Sequence, residues 1–146
     1  MNTQDIISML PYKKPFLFVD DLIECDENHV IGKYFFNPQL DFYKGHFADC
    51  PVTPGVILIE TMAQIGVVCM GICILGIEKK KGAGVVFTSA ETEFLKPVYP
   101  GETVTVTSEK IYFRFGKLKC RVIMRNNENQ EVCRGVIAGL IKNCHE

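Results

Sequence analysis

The longest apolar run in the chain covers residues 55–76, GVILIETMAQIGVVCMGICILG, and it carries one charge, Glu60. Its length predicts a long helix. A membrane span is the rival reading, because about 20 apolar residues suffice for one. Glu60 and Gln64 lie well inside the run, Gly66 and Gly71 interrupt it, and amphipathic strand patterns flank it. Those features favour a helix swallowed by a sheet, which is apolar all round for that reason. Downstream the patterns are those of strands: GVVFTSAETEFL, ETVTVTSEKIYFRF, KLKCRVIMRN and EVCRGVIAGLIK. The stretch TVTVTSEKIYF alternates with period two, giving one buried and one exposed face. KPVYPGE and NNENQ are turn signals between strands. Upstream, TQDIISML predicts a short helix capped by Asn2 or Thr3 and ended by Pro11 and Pro15. The apolar run PFLFV then enters a first strand, CDEN turns, and HVIGKYFF makes a second.

Two strands, a long buried helix, then three or four long antiparallel strands make an α+β fold. A single apolar helix needs cover on every side, and a highly curved sheet wrapped around it supplies that cover. The 146 residues suit one domain, 1–146, and are enough to bury a core without disulfides or metal. No internal repeat or low-complexity segment breaks the pattern.

Composition narrows the function classes. The net charge is −1, and no basic run is interleaved with aromatics. Nothing argues for nucleic acid or a membrane surface as partner. The cysteines number seven, and MNTQDIISML has neither the basic start nor the apolar stretch of a signal peptide. A reducing cytoplasm is the expected location. Cys69 and Cys73 have no His or second Cys pair at metal spacing, so they are expected to act as small hydrophobes with no metal site. Lys79, Lys80 and Lys81 complement the dipole at the end of the long helix. The alternative for that run is a docking patch for an acidic partner.

The irregular segment NPQLDFYKGHFADCPVTP precedes the helix, and long loops in compact domains are often functional. Pro54 and Gly55 mark the helix start, where the first N–H groups have no intrahelical partner. A carbonyl oxygen that gains charge during a reaction could be held there. Glu60 and Gln64 are one turn apart on one face. A carboxyl in an apolar setting keeps its proton to higher pH and can donate it. Histidine is the residue type suited to proton transfer near neutrality. His46 leads through Pro51 and Pro54 straight to the helix that bears Glu60, whereas His29 and His145 are expected to be structural. Phe47, Pro54 and Val56 join Gly55 as the expected substrate contacts. A base, an acid and a carbonyl-holding helix start suit elimination of water from a 3-hydroxyacyl compound. Taken alone, the same parts also suit hydrolysis.

LPYKKPFLFVD and GHFADCPVTPGVILIETMAQ resemble the two most recognisable motifs of the 3-hydroxyacyl-[acyl-carrier-protein] dehydratases of fatty acid synthesis, the FabZ type. LKPVYPGE resembles a third. The resemblance implies a hotdog fold, with a long central helix wrapped by a curved antiparallel sheet. It implies a homodimer, or a trimer of dimers, in which His46 of one chain faces Glu60 of the other. In that assignment His46 removes the C2 proton and Glu60 assists departure of the C3 hydroxyl. The Gly55 N–H binds the thioester carbonyl and Gln64 supports the site from behind. An acidic acyl carrier protein docks at a basic rim, and no cofactor is expected. Glu rather than Asp at position 60 favours this branch over the one that also isomerises the double bond. Tyr12-Lys13 replaces the usual His-Arg, Thr53 replaces the usual Met, and ADC at 48–50 is unusual. A hotdog thioesterase, or a non-catalytic subunit of a heteromeric dehydratase, is the alternative.

Overall fold

Asn2 starts the first helix, α1 (Thr3–Ser8). Its side chain accepts from the Asp5 N–H at 2.8 Å, while the Asp5 carboxylate accepts from the Asn2 N–H at 3.3 Å. This reciprocal capping box satisfies two donors that a helix start leaves free. Of the two expected caps, Asn2 is the one used. The computed structural model describes residues 2–76 and 83–143. Lys79, Lys80, Lys81 and His145 therefore lie outside the described residues.

Six strands form one antiparallel sheet: β1 (Asp21–Cys25), β2 (His29–Phe35), β3 (Ala83–Phe94), β4 (Thr103–Arg114), β5 (Lys117–Arg125) and β6 (Glu131–Asn143). Their spatial order is β1-β2-β4-β5-β6-β3. The strand that follows the central helix thus crosses to the far edge. Register shifts at Leu22/Glu24, Phe87/Ser89, Lys110/Tyr112 and Met124/Arg125 bend the strands, as bulges do. Four strands follow the helix, within the expected three or four.

The first strand starts later than its apolar run suggests. Residues 16–19 form an extended strap outside the sheet, and β1 begins at Asp21. Phe18 and Val19 are buried, so the end of the run does face the core. The Phe18 N–H, however, goes to the Gln64 side chain rather than to a neighbouring strand.

The central helix runs over Gly55–Leu75. It consists of α2 (Gly55–Ala63), a π-helical turn (Gln64–Val68) and α3 (Cys69–Leu75). Gly76, at φ 75°, ends it in the left-handed region where glycine has no Cβ penalty. The helix is long and apolar enough to cross a membrane, yet 72% of its most apolar window is buried inside the fold. Met62, Ile65, Val67, Cys69 and Met70 have no exposed surface. They pack on the inward side chains of the sheet, among them Val104 and Val106 of β4 and Leu118, Cys120, Val122 and Met124 of β5. Helix and sheet approach closely at Gly66. A Cβ there would sit 3.1 Å from Ser108 and from Val122. This is the hotdog arrangement.

Candidate functional site

His46 lies in the loop between a 3-10 turn (Asp41–Lys44) and α2. Backbone bonds fix it on both sides. Its N–H donates to the Phe42 carbonyl at 3.0 Å, and its carbonyl accepts from the Val52 N–H at 3.0 Å. Its ring Nδ1 lies 3.1 Å from the Val52 carbonyl oxygen. A carbonyl only accepts, so Nδ1 carries the proton and the neutral ring keeps a lone pair on Nε2. The ring stacks on Phe47, with centroids 4.3 Å apart and planes 23° apart. Further along, the Thr53 N–H donates to the Val98 carbonyl at 2.8 Å, and the Thr53 and Tyr43 hydroxyls are 2.5 Å apart. This buried hydroxyl pair anchors the last residues before the helix.

Pro54 ends the loop, and its carbonyl accepts the first helical N–H groups, from Ile57 and Leu58. The N–H groups of Gly55 and Val56 have no backbone acceptor among the described residues. They are the free donors expected of a helix start. The Phe94 ring lies beside them, so that a Cβ on Gly55 would approach it to 3.0 Å. A groove of about 370 Å³ opens there, walled by Thr53, Leu58, Phe94, Leu95 and Pro97. Phe47 and Val56 are both exposed, at 60% and 71%.

Glu60 is half-buried on the next turn. Burial pushes its carboxyl above the usual carboxylate range, and a hydrogen bond from Gln64 partly opposes this. That bond, Gln64 Nε2 to Glu60 Oε2, is 2.9 Å long. The same Nε2 donates to the Phe16 carbonyl at 3.0 Å, and Gln64 Oε1 accepts from the Phe18 N–H at 2.8 Å. Both amide hydrogens and the amide oxygen are in use. Gln64 has no exposed surface, and its full set of partners offsets the cost of burying it. Tyr12 completes the surroundings from the strap side. Its phenol is pushed up to about 12, first by burial and next by the charge of Glu60.

Of the expected residues, the fold joins Glu60 to Gln64 and sets Gly55, Pro54 and Val56 at the helix start. His46 is held against its own loop. Among the described residues no hydrogen bond or ion pair connects it to Glu60. Two contributions escape the pattern of polar and apolar positions. One is the segment before β1, in which the backbone of Phe16 and Phe18 holds Gln64 and Tyr12 lies near Glu60. The other is the Tyr43–Thr53 pair. The signal for the second is a polar residue, Thr53, between Val52 and Pro54 at the mouth of an apolar helix. Among the described residues no group of three His, Cys, Asp or Glu side chains could hold a metal ion.

A family described as the FabA-like domain matches residues 10–137, which include the strap, the His46 loop and the whole central helix. The chain belongs to the FabA-like family. Its curated FabA-like relatives include the 3-hydroxyacyl-[acyl-carrier-protein] dehydratase FabZ of Wolbachia pipientis subsp. Culex pipiens, 42% identical over 125 residues, 82% of this chain and 83% of the relative. The FabZ of a Wolbachia of Drosophila simulans is 36% identical over 146 residues, 97% of each chain. Among solved structures, the dehydratase heterocomplex ApeI:P from Xenorhabdus doucetiae superposes with a TM-score of 0.80 at 14% identity, covering 100% of this chain and 95% of that one. A hypothetical thioesterase with coenzyme A from Streptococcus pneumoniae superposes at 0.65 with 15% identity, covering 84% and 85%. At such identities the structures share the fold and nothing finer. The FabA-like match bears out the resemblance of the two motifs, and the superpositions bear out the hotdog architecture.

Proposed function

We propose that this chain dehydrates 3-hydroxyacyl-[acyl-carrier-protein] thioesters to trans-2-enoyl thioesters in fatty acid synthesis. The observation that carries this reading is the FabZ dehydratase kinship over nearly the whole chain, together with a half-buried, amide-tethered Glu60. His46 Nε2 takes the C2 proton. The C–H electron pair moves toward the thioester carbonyl, whose oxygen the free Gly55 N–H holds. The pair then forms the C2=C3 bond as the C3–O bond breaks, and Glu60 gives the departing hydroxyl its proton. The proton His46 gains and the one Glu60 loses balance over a turnover, and water leaves.

His46 and Glu60 act in this reading across a homodimer, each site being made from both chains. Two observations support it. No bond joins the two side chains within one chain. And β3 is a long edge strand with exposed Val86, Phe87 and Phe94; such an edge is a template for pairing with another chain. A reducing cytoplasm suits the six described cysteines, all of them free.

The partner is an acidic acyl carrier protein. The β4–β5 hairpin supports it with a cationic surface. Arg114 lies over the Tyr112 ring at 4.5 Å and Lys119 over it at 5.7 Å, with Lys117 opposite Arg114 in the register. None of the three cations has a carboxylate partner among the described residues. Phe115 at the tip is wholly exposed. Reversing charge at Arg114 and Lys117 is expected to raise KM for a carrier-bound substrate by roughly ten-fold, and to leave a short pantetheine thioester unaffected. Equal effects on both substrates would remove the hairpin from docking.

The activity itself is tested by enoyl absorbance. Purified protein interconverts 3-hydroxyacyl and trans-2-enoyl thioesters without releasing free thiol. Release of free thiol with no enoyl signal would replace the dehydratase by a thioesterase.

A further inference from the structure

The inward face of β4 reads Val104, Val106, Ser108, so a hydroxyl stands where the alternation calls for a third apolar side chain. Ser108 has no exposed surface. Its Oγ donates to the Gly66 carbonyl at 2.9 Å. Gly66 is the third residue of the π-helical turn (Gln64–Val68), and the Cys69 N–H closes that turn on the carbonyl of Gln64, five residues earlier. A π turn breaks the regular pairing of a helix and is less favourable than the α ladder on either side. Something outside the helix must hold it. Ser108 sits on the strand beneath, and a Cβ on Gly66 would press on its Cβ and Oγ at 3.1 Å, tighter than ordinary contact.

The π turn matters because of where it starts. Gln64 is its first residue, and the Gln64 side chain is aimed at Glu60 and at the strap with every polar atom engaged. Shifting the turn into α register would rotate the helix after Ala63. Gln64 would then swing relative to Glu60.

We propose that Ser108 is a positioning residue of the site: by holding the Gly66 carbonyl it fixes the π turn that begins at Gln64, and with it the aim of the Gln64 amide at Glu60. The kinetic part of this inference rests on the dehydratase reading; the geometric part does not. Ser108 touches no substrate. It acts through Gly66 and Gln64. The groups facing Glu60 are Gln64 from its own helix and Tyr12 from the segment ahead of the strap.

The test uses Ser108→Ala, and Ser108→Cys kept under reductant, which keeps the side-chain shape with a somewhat larger, weak donor. Two readouts are taken, dehydration kinetics and titration of a carbon-13 label in the Glu60 carboxyl. The expected result is a fall in kcat of roughly ten-fold or more with little change in KM, since misplacing a catalytic group slows chemistry more than binding. The Glu60 carboxyl is expected to titrate at higher pH than in the parent chain, because the Gln64 bond favours its charged form. In a Gln64→Ala background, adding the Ser108 change is expected to cost almost nothing further. An equal loss of kcat in both backgrounds, or an unmoved Glu60 titration alongside a lower melting temperature, overturns the proposal and leaves Ser108 a packing residue. A parent chain that dehydrates nothing refutes the functional reading instead, and the carboxyl titration still decides for or against Ser108.

Discussion

His46→Ala is expected to lower kcat for dehydration by about 10²–10⁴-fold, the usual contribution of a positioned general base. The ring is held for that role by the Nδ1 bond to the Val52 carbonyl, which leaves Nε2 as the only lone pair. The loop around it keeps its backbone bonds without the ring, since these run between main-chain groups of residues 42, 46, 47, 50 and 52. Circular dichroism of the variant should therefore match the parent. A loss smaller than about ten-fold would remove His46 from the base role. The same variant tests the two-chain site. Mixed with Glu60→Gln and allowed to exchange subunits, it forms heterodimers in which one site holds both changes and the other neither. About a quarter of the parent activity is expected to return, as two-fold symmetry requires. Sites confined to single chains would return none.

Glu60→Gln is expected to lose a similar 10²–10⁴-fold, because an amide cannot give a proton to the leaving hydroxyl. In the parent chain the rate should fall as pH rises through the Glu60 carboxyl, since its acid form is the working one. The stability of the parent chain falls in the same direction. Burial raises the carboxyl in the folded chain, so folding favours the protonated form. The stability linked to that proton is complete below the ordinary carboxylate range and is lost as pH rises through the raised value. Gln carries no such loss. The variant should therefore gain melting temperature relative to the parent as pH climbs, while its activity stays low. A variant that keeps the parent rate, or a melting difference that is flat with pH, would contradict the assignment.

The long helix, the four strands after it and the turns between them are legible because each rests on local periodicity. TVTVTSEKIYF announces its two faces without reference to anything else in the chain. The Glu60–Gln64 pair is legible for the same reason, being one helical turn apart. What is not legible depends on partners distant in sequence. PFLFV reads as a strand because Phe18 and Val19 do face a core, but the Phe18 N–H goes to a glutamine 46 residues away. Gly66 reads as an interruption of the helix. In the fold it lies against Ser108 of β4, at the middle of a π turn. The crossing of β3 to the edge beside β6 also has no local signature, since either face of the pattern would pair equally well in another order. Ser108 did leave a trace, a polar residue at an inward position, but its meaning appears only with the Gly66 carbonyl opposite.

The fully engaged amide of Gln64 ties the fate of the N-terminal segment to that of the carboxyl. Its hydrogens and oxygen serve Phe16, Phe18 and Glu60 at once, and no donor is left in reserve. The two regions consequently inherit each other's mutations. A fusion tag, a proteolytic nick or a loosening substitution ahead of Phe16 should register as a change in acidity at Glu60. Tuning the acid by evolution or design must in turn carry the first eighteen residues along.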